Sequence, residues 1–205
     1  MTDYQHSTCF VMSSFKPGEG LQVYVDSDFS GNWDAKAPEM DKETVRSCHG
    51  YIIKYDGCPI LWKSQIQIEI CLSSTKSKYI GLSYTLREVI PIMNVIKEMR
   101  KLKLILAVNT PKIHCKVFED NSGTLKMARN YKYRPQTKHL NVKNHHFRDY
   151  VERGEIIVHK IYTSEQLADY LTKPVSQEIL EHLRPQVMGC WRQGLHWLVN
   201  VPPRL

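Results

Sequence analysis

Residues 21–28, Leu-Gln-Val-Tyr-Val-Asp-Ser-Asp, decide the fold of this chain. Apolar side chains alternate along residues 21–25, which is typical of a β-strand with one face in a core. The segment ends on Asp26 and Asp28, so carboxylates lie at the carboxyl end of the strand. In open α/β sheets, functional side chains collect at that end of the strands. We therefore expect a strand that opens a sheet and carries an acidic site.

Outward from this segment, apolar alternation and turn residues predict four more strands, and spacings of three and four predict helices. The predicted strands cover residues 21–26, 49–55, 60–68, 116–120 and 155–161. The first predicted helix begins near Ser74 and Thr75, and its unit ends at Asn109-Thr110-Pro111; the other helices cover residues 122–130, 138–153 and 163–171. The resulting order, β-β-β-α-β-α-α-β-α, predicts an α/β domain with a mixed sheet and helices on its faces. Short connections and crossover rules make the first, fourth and fifth strands parallel neighbours.

Several local signals support these elements. The first helix has Ser74 and Thr75 as candidate N-caps, and Pro91 is expected to kink it or disturb one turn. Its predicted buried face consists of Leu82, Leu86, Val89, Met93 and Ile96. Asp56-Gly57 predicts a hairpin turn, Gly154 ends the third helix, and Thr163-Ser-Glu-Gln166 is a capping box that opens the last one. Trp62 and Tyr79 are expected in the core.

The composition is that of an ordinary globular protein. The 205 residues are 42% hydrophobic and 24% charged, with a formal net charge of +7. Apolar runs are far too short to span a bilayer, and the first residues lack the features of a secretion signal. The six cysteines are scattered without zinc-site spacing, which indicates reduced thiols. We expect an intracellular protein, cytoplasmic or nuclear and not secreted.

The basic residues are concentrated in one stretch, interleaved with Tyr131, Tyr133 and three histidines. They are Lys126, Arg129, Lys132, Arg134, Lys138, Lys143 and Arg148. This pattern suits a phosphate backbone with rings stacked on sugars or bases. The alternative is a solvated loop and helix face. We divide the chain into a leader or linker at residues 1–20, a domain at 21–189 and an appended C-terminal tail at 190–205 that packs loosely or is disordered.

Three acidic residues are candidate metal ligands. Asp26 and Asp120 lie at strand ends, and Asp169 lies in the predicted last helix. Carboxylates from separate segments that converge in this way can hold Mg²⁺ with open positions for phosphate oxygens and water. Each aspartate alone is better explained as an ordinary strand-end or turn residue, and only the three together point to a metal site.

Several longer motifs resemble the ribonuclease H domain of Copia-type LTR retrotransposon polyproteins. They lie at residues 25–33, 52–64, 72–75, 119–122, 137–140 and 166–174, and the similarity runs from about Leu21 to Gly189. The resemblance implies an RNase H-like fold with strand order 3-2-1-4-5 and helices on both faces. It also implies endonucleolytic hydrolysis of RNA paired to DNA with two Mg²⁺ (or Mn²⁺), and a reverse transcriptase domain as a partner. By position, Asp26, Asp120 and Asp169 match three of the family's four metal-binding carboxylates.

The fourth carboxylate has no match. The family motif is Ser-Thr-Glu-Ala-Glu-Tyr, and its second Glu is a metal ligand. This chain has Ser74-Thr75-Lys76-Ser77-Lys78-Tyr79, so Lys78 stands at the ligand position. The exchange removes a ligand and adds a cation, so we expect two-metal occupancy to fail and any Mg²⁺ or Mn²⁺ to bind weakly.

The resemblance also suggests residues that contact an RNA/DNA hybrid or another nucleic acid. These are Ser74, Thr75, Asn121, Lys138, His139 and Lys173. Helix capping is the alternative role for Ser74, Thr75 and Asn121, and interaction with a helix dipole is the alternative for Lys173. Three hypotheses stay open: an RNase H with lost or reduced cleavage, a non-catalytic nucleic-acid-binding module, and an inactive relic of the polyprotein.

Overall fold

The computed structural model describes residues 18–31, 45–104, 114–130 and 145–188, and the elements below lie in these ranges. The strands are β1 (Leu21–Ser27), β2 (Cys48–Tyr55), β3 (Cys58–Ile66), β4 (Cys115–Glu119) and β5 (Ile156–Lys160). The helices are α1 (Ser74–Lys101), α2 (Ser122–Arg129), α3 (Arg148–Glu152) and α4 (Gln177–Met188). Residues 1–17 of the predicted leader at 1–20 and the whole predicted tail at 190–205 lie outside the described residues.

The five strands form one mixed sheet in the order β3-β2-β1-β4-β5. The pairs β1/β2 and β2/β3 are antiparallel, whereas β1/β4 and β4/β5 are parallel. Val117 of β4 lies opposite Val23 on one side and Val158 on the other. The predicted strand order is therefore confirmed, as is the parallel arrangement of strands one, four and five.

The hairpin between β2 and β3 turns at Asp56 and Gly57, whose φ angles are 47° and 83°. Positive φ at both central residues is typical of a tight two-residue hairpin turn. The carboxylate of Asp56 also accepts a hydrogen bond of 2.7 Å from the Gly20 N–H. The predicted turn is confirmed, and it connects to the segment that enters β1.

Each face of the sheet packs against a helix. The larger cluster lies under α1 and includes all five residues of its predicted buried face, Leu82, Leu86, Val89, Met93 and Ile96. The helix continues through Pro91 to Lys101. Its N-cap is Ser73 and not the predicted Ser74 or Thr75, because the Ser73 hydroxyl accepts the hydrogen bond from Lys76 N. The smaller cluster joins Ile52 of β2 to Leu167 and to Leu183 and Val187 of α4.

The predicted helix at residues 163–171 is wrong. Residues Thr163–Glu165 and Asp169–Leu171 form two short 3₁₀ turns, and the last α-helix is α4, which begins at Gln177. The predicted capping box fails because the side chain of Thr163 does not cap and instead donates to Asp120 Oδ2. Pro174 separates the turns from α4, since proline disfavours helical backbone in the residue before it.

Two further predictions need correction. Of the helix predicted at 138–153, the described part is helical only at α3, and residues 145–147 form a turn. The neighbouring residues Phe147 and Arg148 are both buried. Trp62 was expected in the core but is 61% exposed, because β3 is an edge strand; Tyr79 is fully buried as predicted. No helix within the described ranges is both long and apolar enough to cross a bilayer.

Candidate active site

Asp26 and Asp120 lie at the carboxyl ends of two neighbouring parallel strands. Asp26 is the penultimate residue of β1, and Asp120 immediately follows β4. The strands pair from Leu21↔Cys115 to Tyr24↔Phe118, so their ends meet at the same edge of the sheet. The side chain of Asp26 is 2% exposed and that of Asp120 is 11% exposed. The structure thus brings these two predicted site residues together.

Lys78 joins the two carboxylates. It lies in the second turn of α1, and its Nζ is 2.6 Å from Asp26 Oδ1. The same ammonium also donates to Asp120 Oδ1. Its side chain is only 14% exposed, so the contacts are largely shielded from water. A single cation therefore bridges the two acidic strand ends.

The charges around Lys78 favour its protonated form. Burial lowers the pKa of Lys78, but the negative charges of Asp26 and Asp120 outweigh it and raise the pKa above the ordinary value. Burial acts to raise the pKa of Asp120, but the hydrogen bond from Lys78 outweighs this effect and lowers the pKa overall. Lys78 is therefore a protonated cation at neutral pH and cannot act as a general base there.

Asp169 approaches the cluster from a different segment. It lies in the second 3₁₀ turn, and its Oδ2 is 2.9 Å from Lys173 Nζ. Thr172, in the same segment, donates its hydroxyl to Asp26 Oδ2, which ties the turn to the end of β1. Burial raises the pKa of Asp169, Lys173 lowers it, and the charge of Asp26 raises it again. The structure thus places Asp169 beside Asp26 but pairs it with its own lysine.

The arrangement does not fit a divalent cation. Among the described residues, no group of three or more Asp, Glu, His or Cys side chains is placed to hold a metal ion. The carboxylate oxygens that would face the ion instead accept hydrogen bonds from Lys78. Mg²⁺ needs a near-octahedral shell of oxygen ligands, and an ammonium group offers none. Asp26 and Asp120 can hold a metal only if Lys78 moves away.

Glu119 is a member of this region that sequence reasoning missed. It is fully buried, its Oε1 accepts a 3.0 Å hydrogen bond from Asn121 N, and its Oε2 has no hydrogen-bond partner among the described residues. Burial raises its pKa well above the ordinary value. The alternation Cys115, Val117, Glu119 along β4 was a signal that this carboxyl faces the core.

Gln166 is a second residue that the sequence did not reveal. Its side chain is fully buried, and Nε2 donates to the Val25 carbonyl at 3.0 Å and to the Phe118 carbonyl at 3.3 Å. Val25 precedes Asp26, and Phe118 lies two residues before Asp120. The amide therefore links the ends of β1 and β4 where the two strands carry their acidic residues.

Of the six residues predicted to contact nucleic acid, the structure describes four. Asn121 is the N-cap of α2 and accepts a hydrogen bond from Thr124 N, and Thr75 Oγ1 lies 3.4 Å from the Asn121 side-chain oxygen. Ser74 is exposed at the start of α1. Lys173 does not end an α-helix; it pairs with Asp169 from the turn. Lys138 and His139 lie outside the described residues.

The basic stretch is only partly described. Lys126 and Arg129 on α2 are exposed, and Arg129 donates to the Val158 carbonyl. Arg148 was expected on the basic surface but is buried, and its Nε donates to Tyr79 OH at 3.2 Å. Arg148 therefore supports the packing of α1 and is not available to a phosphate backbone.

The sequence is similar to segments of three transposon polyproteins. It is 29% identical over 167 residues to the retrovirus-related Pol polyprotein from transposon RE1 of Arabidopsis thaliana, covering 82% of this chain and 10% of the relative. The corresponding protein from transposon TNT 1-94 of Nicotiana tabacum is 29% identical over 164 residues, covering 78% of this chain and 11% of the relative. The one from transposon RE2 of A. thaliana is 29% identical over 183 residues, covering 89% and 11%. The chain thus spans about a tenth of the length of these curated relatives, and no protein-family model matches it.

Solved structures similar to this fold are RNase H domains. The N-terminal RNase H domain of a Mycobacterium tuberculosis protein is 11% identical, with a TM-score of 0.47 over 80% of this chain and 95% of that chain. An RNase H1 isolated from compost is 16% identical, with a TM-score of 0.48 over 75% of this chain and 92% of that chain. The observed strand order, β3-β2-β1-β4-β5, is the order that the sequence resemblance implies.

Proposed function

We propose that this chain, which is similar to segments of transposon Pol polyproteins, is the RNase H-like domain of a Copia-type polyprotein that binds nucleic acid but has largely lost RNA cleavage. The substrate class is an RNA/DNA hybrid, whose RNA strand a complete site of this kind would hydrolyse with Mg²⁺ or Mn²⁺. The partner class is nucleic acid, and a reverse transcriptase domain is a further proposed partner.

One observation carries the proposal: the Lys78 ammonium lies 2.6 Å from Asp26 Oδ1 and also bonds Asp120. Two unit charges about 4 Å apart interact by roughly 4 kcal/mol at an effective dielectric constant near 20, and a divalent ion doubles that figure. A metal ion in this pocket would therefore have to displace a cation that both carboxylates already hold. Metal binding should be weak, and the two-ion arrangement should not form.

Cleavage assays on an RNA/DNA hybrid test the loss of activity. With Mg²⁺ or Mn²⁺, the wild-type chain should cut no faster than its D120N variant, because the wild-type site holds no productive metal. Robust wild-type cutting that disappears in D120N would overturn the proposal.

The variant K78E is the sharper test, since it replaces the cation by the carboxylate that the family motif carries. We expect K78E to bind Mg²⁺ at least tenfold more tightly than wild type in calorimetric titration, and to gain cutting that K78E/D120N lacks. The matched control is K78M, which removes the ammonium without adding a ligand. If a folded K78E binds Mg²⁺ no better than K78M, Lys78 does not occupy a ligand position.

Nucleic-acid binding is tested separately from cleavage. The net charge of +7 and the exposed Lys126 and Arg129 favour contacts with phosphates. A protein that neutralises several phosphates loses affinity steeply with salt. We expect hybrid affinity, measured by fluorescence anisotropy, to fall at least tenfold between 50 and 200 mM salt. An affinity that ignores salt over this range would rule out the binding role.

A further inference from the structure

The turn that carries Asp169 is bonded directly to the acidic end of β1. Thr172 is only 8% exposed, and its hydroxyl donates to Asp26 Oδ2. The same hydroxyl lies 3.0 Å from the Asp169 carbonyl, which already accepts hydrogen bonds from the N–H groups of Thr172 and Lys173. A hydroxyl has one proton to donate, and an ionised carboxylate makes the stronger bond. The Thr172 proton therefore goes to Asp26.

The two oxygens of Asp26 are held by donors from two different elements. Oδ2 accepts from Thr172 in the turn, and Oδ1 accepts from the Lys78 ammonium on α1 at 2.6 Å. A hydrogen bond that fixes one oxygen of a carboxylate also fixes the direction in which the other points. Thr172 is thus placed to aim Asp26 Oδ1 at Lys78.

Gly50 of β2 makes this contact possible. It lies opposite Asp26 in the β1/β2 pair. A Cβ atom at this position would lie 2.6 Å from Leu171 Cβ and 3.1 Å from Thr172 Cγ2, both closer than ordinary van der Waals contact. Because Gly50 has no side chain, the turn packs directly against β2, and Thr172 comes within reach of Asp26.

The other acidic strand end has a weaker hydroxyl partner. Thr163 donates to Asp120 Oδ2 at 3.3 Å, but Thr163 is exposed and its bond is open to water. The Asp26 side chain is 2% exposed, compared with 11% for Asp120. A hydrogen bond to a charge contributes more when water cannot replace it. Of the two threonines, Thr172 therefore has the larger effect on the cluster.

We propose that Thr172 is a positioning residue whose hydroxyl aims Asp26 at Lys78, so that the three side chains lock the turn at residues 169–173 to β1 and α1 without a metal ion. The acidic site thereby serves as a structural connection between three elements. The inference goes beyond the proposed function, because it does not depend on whether the protein binds nucleic acid.

Hydrogen exchange measured by mass spectrometry on the full chain tests the lock. The variant T172V keeps the size of the side chain and removes the hydroxyl, so the amides of residues 169–173 should exchange at least about tenfold faster than in wild type. T172S restores the hydroxyl and should stay within about twofold of wild type. The matched control T163V removes the exposed hydroxyl and should change the same amides less than about threefold. Wild type should exchange equally in EDTA and in Mg²⁺.

The variant G50A breaks the contact by a different route. Its hydroxyl at Thr172 is intact, but the added methyl group displaces Leu171 and moves the turn away from Asp26. We expect the amides of residues 169–173 to exchange as fast in G50A as in T172V, with the amides of β5 unchanged. Slow exchange in β5 shows that each variant is folded, and G50A decides the question if T172V does not fold.

The ammonium of Lys78 gives a readout that packing of the turn alone would not change. Its protons are bonded to two carboxylates and shielded from water, so wild type should show an Nζ–H signal by NMR at pH 7. The signal is identified by its absence from K78R. T172V should lose it through faster exchange with water, whereas T172S should keep it.

Three results would overturn the proposal. The first is a folded T172V with the turn exchange and the Lys78 signal of wild type. The second is a T172S that exchanges as fast as T172V, because the methyl group and not the hydroxyl would then hold the turn. The third is wild-type exchange in residues 169–173 that slows when Mg²⁺ replaces EDTA, since a metal ion would then be needed to hold the turn.

Discussion

Lys78 is a largely buried basic side chain that is charged, whereas His49 is a buried basic side chain that is neutral. Burial lowers the pKa of both groups. Lys78 has two carboxylates within bonding distance, which reverse the effect and keep it charged. At His49, burial and the nearby charge of Lys63 together lower the pKa to about 4, so the ring is neutral at pH 7. The comparison shows that charged partners, more than burial, decide which buried base keeps its proton.

Of the changes considered, removal of the Lys78 charge should lower the free energy of unfolding most. The variant K78M removes the cation that Asp26 and Asp120 share. Breaking a buried ion pair in this way costs about 3–5 kcal/mol. Urea unfolding in EDTA should show a loss of this size. The control K101M, at an exposed pair with Glu98, should lose less than about 0.5 kcal/mol.

The triple variant K78M/D26N/D120N tests whether K78M is destabilised by its two remaining negative charges, those of Asp26 and Asp120. It removes both negative charges together with the ammonium, so it should recover most of the stability that K78M loses. A triple variant as unstable as K78M would mean that Lys78 acts through packing of its aliphatic stem.

His49 allows a test by pH. Its folded-state pKa lies below the unfolded value of about 6.5, so its contribution is fully present above pH 6.5 and is lost as pH falls towards 4. The variant H49F should keep the stacking on Tyr84 while removing this titration. Between pH 7 and 5.5, wild type should lose about 1 kcal/mol more than H49F in urea unfolding. Equal losses would show that His49 is not held neutral.

Removal of the ion pair between Lys173 and Asp169 should lower the free energy of unfolding least. The Nζ–Oδ2 distance is 2.9 Å, but the Lys173 side chain is 47% exposed. Exposed pairs contribute about 0–1 kcal/mol after screening by water and salt. We expect K173M to lose less than about 1 kcal/mol in the urea measurement used for K78M. A loss equal to that of K78M would mean that exposure does not distinguish the two lysines.

The sheet was predictable because its signals are local. Alternation in β1 and β4, the Asp56-Gly57 turn and the preference for short parallel crossovers together give the strand order. The approach of Lys78 to Asp26 and Asp120 was suggested by the resemblance to a family motif. The bonds from one ammonium to both carboxylates depend on how α1 packs across the strand ends, which residue spacing does not encode.

The errors lie where long-range packing decides the local structure. The capping-box sequence at residues 163–166 predicted a helix. In the structure, the Thr163 hydroxyl donates a hydrogen bond to Asp120, and the Gln166 amide donates to strand carbonyls. Trp62 is a large hydrophobic residue of a type common in cores, and it is exposed because it lies on an edge strand. Glu119 was missed although the alternation along β4 places it on the core face, because charged residues are rarely buried.

The two hydrogen bonds from the Gln166 amide have a mechanical consequence. Its Nε2 donates to one carbonyl on each of two paired strands, so a segment outside the sheet ties the strand pair together beside its acidic residues. A change in the connection between β5 and α4 that withdraws this amide would therefore remove a donor from both strand ends at once.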